Sequence, residues 1–513
     1  MAGAASGGTI QWSSRFAFIM AAVGSSVGLG NLWRFSAEAG ENGGGAFIII
    51  YLACVILIGI PVLMSEFIIG RAGNASSAIR SVDDLAARSG VSGGWSVLGV
   101  TGMVASFLIV SFYCVVAAWV IVYIPKFLGG SFTGQSPDQI ANQFSDLIVA
   151  TEFKEIVKKP ELLLEAPKDV LLAFTGFAML TTFLVARGVN KGIEFAAKIL
   201  MPIFFVLLIA LALYSLISGF GTEVMADGKK SNGSAEAIKF LFAPDFGAIT
   251  PQVATAALGQ AFFSIGLGSA IMITYGSYLP QDISIPKSAI IIGLTDTGVA
   301  LIAGLAIFPI VFSHGLDFSA GAGIFFQTLP VALSSAPGGN FIGAAFFFLA
   351  IFAAVTSSIS LLEPTVAWVI EKFNLSRVAA ASIAGAVMWM LGFGSIYLAG
   401  FMDVIDGELT GAIALPLTGL LTILFVGWRM KKAMVNEQMH GVSPGLQKVM
   451  IILVRYVAPI FVGIVLLAGI HSTYFAGQSM SELMGSWGFR RLLILTVFIV
   501  LALVWSKNKN RKA

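Results

Sequence analysis

The chain has 513 residues, of which 57% are hydrophobic and only 11% are charged. A soluble domain carries about 25% charged residues, so this composition excludes a soluble globular protein and indicates a chain that crosses a membrane many times. The net charge of +3 does not indicate a nucleic-acid partner, because the Lys and Arg residues lie in short loops between apolar segments.

Twelve apolar segments are long enough to cross the lipid bilayer, which takes about 20 residues. These predicted spans cover residues 16–36, 46–70, 95–127, 169–188, 194–217, 252–279, 287–313, 341–371, 378–396, 398–427, 450–472 and 489–506. An even number places both termini on one side, and the loops rich in Lys and Arg mark that side as cytoplasmic. We therefore predict an all-α, multi-pass protein of the inner (plasma) membrane with both termini in the cytoplasm.

Two spans are interrupted by glycines in the same way. Residues Gly24 to Asn31 read Gly-Ser-Ser-Val-Gly-Leu-Gly-Asn, and residues Ser264 to Ser269 read Ser-Ile-Gly-Leu-Gly-Ser. Gly costs about 1 kcal/mol relative to Ala in a helix, and a broken turn leaves backbone groups that hydrocarbon cannot satisfy. Close helix packing is one explanation of such small residues. Matched breaks in two halves of a chain are, however, the best sequence indication of a transporter's binding site.

The order of the spans predicts two halves of five helices each. Residues 16–217 would form the first repeat and residues 252–427 the second, with residues 450–506 outside both. An odd number of spans per half gives the halves opposite orientations, so they would be inverted repeats. We expect residues 1–513 to form a single transporter domain.

Several motifs together resemble one family. They are Gly28-Leu29-Gly30-Asn31-Leu32-Trp33-Arg34-Phe35, Glu41-Asn42-Gly43-Gly44-Gly45-Ala46-Phe47, Lys191-Gly192-Ile193-Glu194, Pro202, Phe262-Phe263-Ser264 and Thr356-Ser357-Ser358. The chain is similar to the sodium-coupled neurotransmitter and amino-acid symporters, especially bacterial members such as the leucine and tryptophan/tyrosine transporters. The resemblance implies the leucine-transporter (LeuT-like) fold, with a 5+5 inverted repeat and broken helices 1 and 6. It also implies a symporter that imports an amino acid with sodium by alternating access.

The resemblance implies two sodium sites. The first would use the Ser26 carbonyl, Asn31, Ser264 and Asp296, where the leucine transporter has Asn at the last position. A carboxylate inside a membrane helix is a functional-site hypothesis by default, although a hydrated position near the helix end is the alternative. Animal relatives bind chloride through a Ser one helical turn further on, where this chain has Ala300. We therefore expect the charge of Asp296 to replace chloride and transport to be chloride-independent.

The second sodium site implied by the resemblance lies between spans 1 and 8. Its oxygens would be the carbonyls of Gly24, Val27 and Ala353 and the hydroxyls of Thr356 and Ser357. In the family, Gly and Pro with nine residues between them unwind the cytoplasmic end of helix 5, so that water reaches this sodium. Gly192 and Pro202 have that spacing here.

The resemblance also implies a pocket for a zwitterion. The substrate carboxylate would meet the amides of Leu29 and Gly30, the first sodium and the Tyr113 hydroxyl, since helix N-termini favour anions. The ammonium would meet carbonyls around Ser25, Phe263 and Ser264. The side-chain subsite would be lined by Ile109, Phe263, Gly266, Ser269, Ser357 and Leu361.

Two of these subsite residues are smaller than in the leucine transporter. Gly266 stands where that transporter has Ser, and Ser269 stands where it has Phe. The roomier pocket favours a hydrophobic, preferably aromatic, amino acid. A bulkier or polar aliphatic amino acid stays open, because one hydrophobic difference changes binding by only about 1–3 kcal/mol.

Gates on both sides of the site follow from the same resemblance. On the outer side Arg34 should approach Asp406, with Gln260 supporting the network. On the inner side Glu371 matches the family's acid, but the position of its N-terminal Arg partner holds Thr9. Glu66 matches an acid that braces the broken segments, and a surface-hydrated carboxylate near Arg71 is the alternative. Glu363 also lies inside a span, and no role for it follows from the sequence.

Other classes of protein fit the sequence less well. An ion channel would need a repeated pore loop, and a membrane enzyme would need a catalytic or metal-binding cluster, but His314, His440 and His471 lie in separate loops. A sensor built on a transporter fold, or a transporter of another small zwitterion, stays open. The cofactors that we expect are two sodium ions and no chloride, and the protein would be a monomer or a homodimer.

Overall fold

The computed structural model describes residues 11–148, 155, 158–159, 167–226, 229–316 and 323–475. Helices dominate these residues. In chain order they are α1 (Arg15–Ser26), α2 (Gly30–Glu41), α3 (Gly45–Gly73), α4 (Ala78–Ser89), α5 (Gly93–Leu128), α6 (Pro137–Ser145), α7 (Lys168–Ala186), α8 (Val189–Phe220), α9 (Gly233–Phe242), α10 (Pro251–Ile265), α11 (Ile271–Ser277), α12 (Ile285–Ser313), α13 (Ile324–Ser335), α14 (Gly339–Phe373), α15 (Arg377–Tyr397), α16 (Phe401–Arg429), α17 (Lys432–Gln438) and α18 (Pro444–Phe475).

Nine continuous helices among the described residues are long and apolar enough to cross a membrane. The pair α1 and α2, bent by 54°, makes a tenth span, and the pair α10 and α11 occupies the sixth predicted span. Eleven of the predicted spans are thus helical, whereas residues 489–506, the twelfth, lie outside the described residues. The limits of the two predicted repeats stay a prediction.

The burial of the helices separates a central group from a lipid-facing group. The most apolar stretches of α5 and α14 are 72% and 78% buried, whereas those of α7 and α8 are only 33% buried. Large apolar side chains on α7 and α8 accordingly point outward, as a helix in contact with lipid requires. The centre of the bundle is where α5 and α14 meet the broken spans.

Both glycine-rich stretches interrupt their helices, as the sequence predicts. Helix α1 ends at Ser26, and Val27 has an extended backbone. Helix α10 ends at Ile265 and is followed by Gly266, which has a left-handed φ of 73°, and Gly268 has a φ of 77°. A side chain on Gly268 would overlap the carbonyl of Leu415, so this position requires glycine both for its φ and for its close contact.

The start of the fifth span differs from the expectation. Residues Val189–Glu194 form a π-helical stretch that continues directly into Phe195–Phe220, and Pro202 lies inside that helix. The end of the span that was expected to be unwound is therefore helical in this structure. Gly192 instead provides a close contact, since a Cβ there would overlap the Leu184 carbonyl.

The connection between the fifth and sixth spans contains regular structure. Besides α9 it forms a two-stranded antiparallel hairpin of β1 (Val224–Ala226) and β2 (Lys229–Ser231), in which Met225 is paired with Lys230. Neither strand of this hairpin contributes a residue to the candidate site described below.

Candidate functional site

The breaks of the first and sixth spans contact each other directly. The Ser26 hydroxyl donates to the Ile265 carbonyl at 3.1 Å, and the Gln260 amide donates to the Gly30 carbonyl at 3.4 Å. A Cβ on Gly30 would stand 3.1 Å from the ring of Phe263. The broken turns therefore form one site, and their freed backbone groups lie next to each other.

A buried carboxylate joins both breaks. Asp296 on α12 is fully buried. Its Oδ2 accepts a hydrogen bond from the Ser264 hydroxyl at 2.7 Å, and its Oδ1 accepts one from the Asn31 side-chain amide at 2.8 Å. The same Asn31 nitrogen lies 3.0 Å from the Ser264 hydroxyl, and Tyr51 lies 3.5 Å from that hydroxyl. The alternative of a hydrated position near the helix end does not hold for Asp296.

The charge of Asp296 has no cationic partner among the described residues. Every hydrogen bond that it accepts comes from a neutral side chain, and no Lys, Arg or His within the described ranges pairs with it. A buried carboxylate is stable only when it is paired, metal-bound or protonated. The Asp296 carboxylate and the Ser264 hydroxyl lie together beside the Asn31 side chain. Ser26 contacts the carbonyl of Ile265, the residue next to Ser264. Oxygen is the ligand that hard cations prefer. The residues present therefore fit a bound sodium ion.

A second group of oxygens lies between α1 and α14. The Ser357 hydroxyl lies 3.4 Å from the carbonyls of Gly24 and Val27, and also 3.4 Å from that of Ser25. The Thr356 hydroxyl lies 3.1 Å from the Ala353 carbonyl. The structure thus brings together the residues predicted for the second sodium site, in a buried environment of neutral oxygens.

Met201 is an additional neighbour of this second group. A Cβ on Gly24 would stand 3.0 Å from Cβ of Thr356 and 3.1 Å from the sulfur of Met201. Met201 is fully buried and lies next to Pro202 in α8. Gly24 is therefore needed for close packing of α1 against α8 and α14, and its carbonyl remains available to Ser357.

Tyr113 on α5 reaches the break of the first span. Its hydroxyl accepts a hydrogen bond from the Leu29 amide at 3.2 Å. A Cβ on Gly28 would lie 2.8 Å from the Ser357 hydroxyl and 3.0 Å from that of Tyr113, so only glycine fits between them. The two donors expected to hold a substrate carboxylate, the Leu29 amide and Tyr113, therefore lie within one hydrogen bond of each other.

The expected side-chain subsite has room on the side of the sixth span. A Cβ on Gly266 would meet nothing closer than the Ser269 hydroxyl at 4.0 Å, and that hydroxyl donates to the Gly266 carbonyl at 2.5 Å. Ile109 and Leu361, the apolar residues predicted here, are both 7% exposed. The buried Ser25 hydroxyl has no hydrogen-bond partner within the described part of the chain.

An outer cavity of about 480 Å³ lies above this site, and Tyr113, Phe263, Arg34 and Asp406 all line it. We call the end of the bundle that carries Arg34 and Asp406 the outer face. The guanidinium of Arg34 stacks over the Phe263 ring at 4.2 Å and pairs with Glu38 at 3.6 Å. Arg34 thus contacts Glu38 here, and the predicted contact with Asp406 is not formed.

The opposite end, which carries Trp12 and Tyr278, is the inner face, and a buried network closes it. Glu363 on α14 is fully buried, receives both terminal nitrogens of Arg377 and accepts a hydrogen bond from the Tyr278 hydroxyl at 2.9 Å. Arg377 also donates to the Val185 carbonyl at 2.9 Å. The network joins α7, α14 and α15 to the end of the sixth span, and it gives Glu363 the partner that the sequence did not reveal.

Other contacts support the inner face. The Trp12 ring nitrogen donates to the Tyr275 carbonyl at 3.0 Å, which holds the N-terminal segment on α11. Glu371, expected to be an inner-gate acid, accepts from the Ser77 amide at 3.1 Å and lies 3.7 Å from Arg80. Thr9, at the position of the family's Arg, lies outside the described residues.

Glu66 lies behind the break of the sixth span. It is fully buried, and its Oε1 accepts a hydrogen bond from the Gly268 amide at 2.7 Å. Arg71 is bonded elsewhere, to Gln438 and to the Ile283 carbonyl. The alternative of a surface-hydrated carboxylate is therefore wrong for Glu66. Glu66 instead binds the backbone amide of Gly268, which the break of the sixth span leaves without a helical partner.

Sequence reasoning missed several residues near the site. The sequence does not mark Tyr51, Tyr278 or Arg377 as site residues. Glu363 is nevertheless a clear signal, because a lone acid inside a span needs a partner. Its partner Arg377 begins the next helix. A contact between two successive helices can be predicted from the sequence only when the geometry of the turn between them is known. Nothing in the sequence indicated Tyr51.

The two broken spans, the surrounding apolar helices and the buried polar cluster at their centre define a multi-pass membrane transporter. A profile of the sodium:neurotransmitter symporter family matches residues 10–146 and 150–506. The chain belongs to this family. It is accordingly a sodium-dependent transporter, not an enzyme.

Individual relatives agree over nearly the whole length. The chain is 36% identical over 472 residues to the sodium-dependent transporter YhdH of Bacillus subtilis (strain 168), covering 89% of this chain and 97% of the relative. It is 30% identical over 474 residues to a sodium-dependent transporter of Haemophilus influenzae, covering 90% and 98%. The crystal structure of MhsT in complex with L-phenylalanine matches with a TM-score of 0.76 and 38% identity, covering 90% and 100%. These similarities confirm the predicted LeuT-like fold.

Proposed function

We propose that this protein is a symporter that imports an amino acid with sodium by alternating access between the outer and inner faces. The observation that carries the proposal is Asp296, a buried carboxylate with no cationic partner among the described residues, held by Asn31 and Ser264 from the two broken spans. A bound sodium ion would neutralise this carboxylate. A substrate whose carboxylate also contacts that ion would couple the transport of the amino acid to the transport of sodium. We place the protein in the inner (plasma) membrane with both termini in the cytoplasm.

Two sodium ions supply the driving force in this proposal. The first binds at Ser26, Asn31, Ser264 and Asp296, and the second at Gly24, Val27, Ala353, Thr356 and Ser357. One charge that crosses 100 mV of membrane potential contributes about 2.3 kcal/mol. Two sodium ions that enter together therefore drive a substantial accumulation of substrate.

The substrate carboxylate replaces the hydrogen bond between Leu29 and Tyr113. The Leu29 amide donates to the Tyr113 hydroxyl at 3.2 Å, and a bound carboxylate would accept one hydrogen bond from each of these two groups instead. The ammonium binds carbonyls beside Ser25, Phe263 and Ser264. Phe263, which lies under Arg34 and lines the outer cavity, stands at the boundary between this pocket and that cavity.

The amino acid that we favour is hydrophobic and preferably aromatic. Support comes from the open space at Gly266 and from the small side chain of Ser269. The structure of MhsT, with 38% identity, was determined with L-phenylalanine bound. Aliphatic amino acids and other small zwitterions are the competing substrates.

Sodium-dependent binding of radiolabelled ligands to the purified full-length protein tests this proposal. We expect phenylalanine and tryptophan to bind more tightly than leucine, and glycine and alanine to bind least, with binding in sodium and none in potassium. A preference for glycine or alanine would overturn the aromatic substrate. Equal binding in potassium would overturn the coupling to sodium.

The negative charge of Asp296 also predicts that chloride is not needed. Ala300, one turn further along α12, is fully buried and offers no hydroxyl to an anion. Uptake measured with gluconate in place of chloride should stay unchanged. A collapse of uptake in gluconate would show that the carboxylate does not substitute for the anion.

A sensor that binds the same ligands without moving them is the second candidate. Binding alone does not separate it from a symporter. Accumulation of substrate inside reconstituted vesicles does, because a sensor produces none.

A further inference from the structure

A groove on the lipid-facing surface lies between α7 and α15. Its volume is about 500 Å³, and apolar side chains line most of it. Met179, Phe183 and Val378 form its walls and are 67%, 56% and 61% exposed. Nothing in the transport cycle proposed above uses this groove.

The shape of the groove follows from close packing of the two helices. Gly385 on α15 faces Thr182 on α7, where any Cβ would overlap the Thr182 side chain, so the floor is formed by small residues. The Trp389 ring nitrogen donates to the Thr175 hydroxyl at 3.1 Å at one end of the groove. The opposite end, at Ala186, lies beside the contact of Arg377 with the Val185 carbonyl on the inner face.

The length of the groove matches one leaflet of a bilayer. Thr175 and Ala186, at its two ends, are eleven residues apart in α7, which at 1.5 Å per residue is about 16 Å. The hydrocarbon core of a bilayer is about 30 Å thick, so the groove covers about half of it. A helix from a second copy of the chain would cross the full core, whereas a single acyl chain reaches only its centre.

Two cations follow α7 in the chain. Arg187 directly follows α7, and its guanidinium lies over the ring of Phe183, a residue of the groove, at 5.6 Å. Lys191 lies four residues further on at the start of α8, after the turn at Gly188, and both side chains are exposed. Within the described ranges neither forms an ion pair, whereas nearby Arg377 is occupied by Glu363. The charge at the mouth of the groove is therefore positive and uncompensated.

We propose that the groove binds one anionic phospholipid, with an acyl chain between α7 and α15 and its phosphate at Arg187 and Lys191. Basic pockets between transmembrane helices at the cytoplasmic side are suited to such headgroups. The leaflet follows from the proposed orientation, in which the inner face is cytoplasmic. The site is separate from the sodium and substrate sites, so sodium-dependent ligand binding can serve as a measure of folding in its test.

The test uses the full-length protein in mild detergent, to which phosphatidylglycerol or phosphatidylcholine with identical acyl chains is added, and native mass spectrometry counts the lipids bound. We expect wild type to prefer phosphatidylglycerol. Arg187→Gln should lower that affinity about fivefold, which corresponds to about 1 kcal/mol for one surface cation, and leave phosphatidylcholine unchanged. Ala386→Trp, which fills the groove, should remove binding of both lipids.

The matched control is Val387→Trp, one residue further on the same helix, 38% exposed and outside the groove lining. It should bind both lipids as wild type does. Equal lipid binding by all four proteins would show adventitious lipid only and overturn the proposal. A change from dimer to monomer in Ala386→Trp without loss of lipid would show that a second copy covers the groove, and it would also overturn the proposal.

Discussion

The outer and inner faces of the molecule are closed to different degrees. On the outer face Arg34 and Asp406 line a cavity of about 480 Å³ and do not pair. On the inner face Glu363 joins Arg377 and Tyr278 in a buried network, and Trp12 is bonded to the sixth span. The outer cavity is lined by Leu29, Gly30 and Tyr113 and so reaches the candidate site. A cavity of about 470 Å³ beside Trp12 on the inner face is lined by none of the candidate site residues. Alternating access requires this difference to reverse.

The largest effect should come from removing the carboxylate of the inner network. Glu363→Ala leaves the partly buried Arg377, whose side chain is 18% exposed, without its acid. Breaking a buried ion pair costs about 3–5 kcal/mol, and the exposure of Arg377 places this variant toward the lower end. We expect a large drop in the melting temperature of the purified protein, or permanent opening of the inner face, measured by labelling of a cysteine introduced there.

The double variant Glu363→Leu with Arg377→Met is the control for that experiment. Replacing both charges by apolar groups of similar size is often neutral, so most of the lost stability should return. A double variant as unstable as the single one would show that the ion pair is not what holds the inner face closed.

A medium effect should follow from loss of the Arg71 contacts. Arg71 is buried and donates to the Gln438 side chain at 2.6 Å, to the Gln438 carbonyl at 3.1 Å and to the Ile283 carbonyl at 2.5 Å. Hydrogen bonds to charged groups contribute about 1.5–3 kcal/mol each, but the carbonyls freed by Arg71→Met can bind water, so we expect a net loss of about 2 kcal/mol. Denaturation followed by tryptophan fluorescence checks this, and Arg80→Met, at an exposed pair, should change little.

The smallest effect on stability should come from the outer face. The pair of Arg34 and Glu38 is partly exposed, and such pairs contribute about 0–1 kcal/mol, so Arg34→Gln should barely change the melting temperature. The interaction energy between Arg34 and Asp406 should be near zero without ligand and should rise when sodium and amino acid are bound. A double-mutant cycle on substrate binding measures this coupling, and strong coupling without ligand would contradict an open outer face.

Much of the fold could be predicted from sequence, because hydrophobic spans and matched glycines are local signals. Eleven spans are helical as predicted, and the breaks at Gly28 and Gly266 are where glycine indicated them. Asp296 and Ser264 lie together as the resemblance to the symporters implied.

The rest depended on contacts between segments distant in sequence. Two acids line the same cavity as Arg34, Glu38 one turn away and Asp406 on a distant helix, and the sequence does not distinguish which of them Arg34 contacts. The helical start of the fifth span could not be inferred from Gly192 and Pro202, because the same residues fit both a packed and an unwound helix.

Uptake of labelled phenylalanine into vesicles that contain the purified protein, with sodium gluconate outside and potassium gluconate inside, tests the central claim most directly. We expect accumulation above the outside concentration for wild type, and none when potassium replaces sodium or in Asp296→Ala. Accumulation by Asp296→Ala equal to wild type would contradict the role of this carboxylate, and no sodium-driven accumulation of phenylalanine, tryptophan, leucine, glycine or alanine would contradict symport.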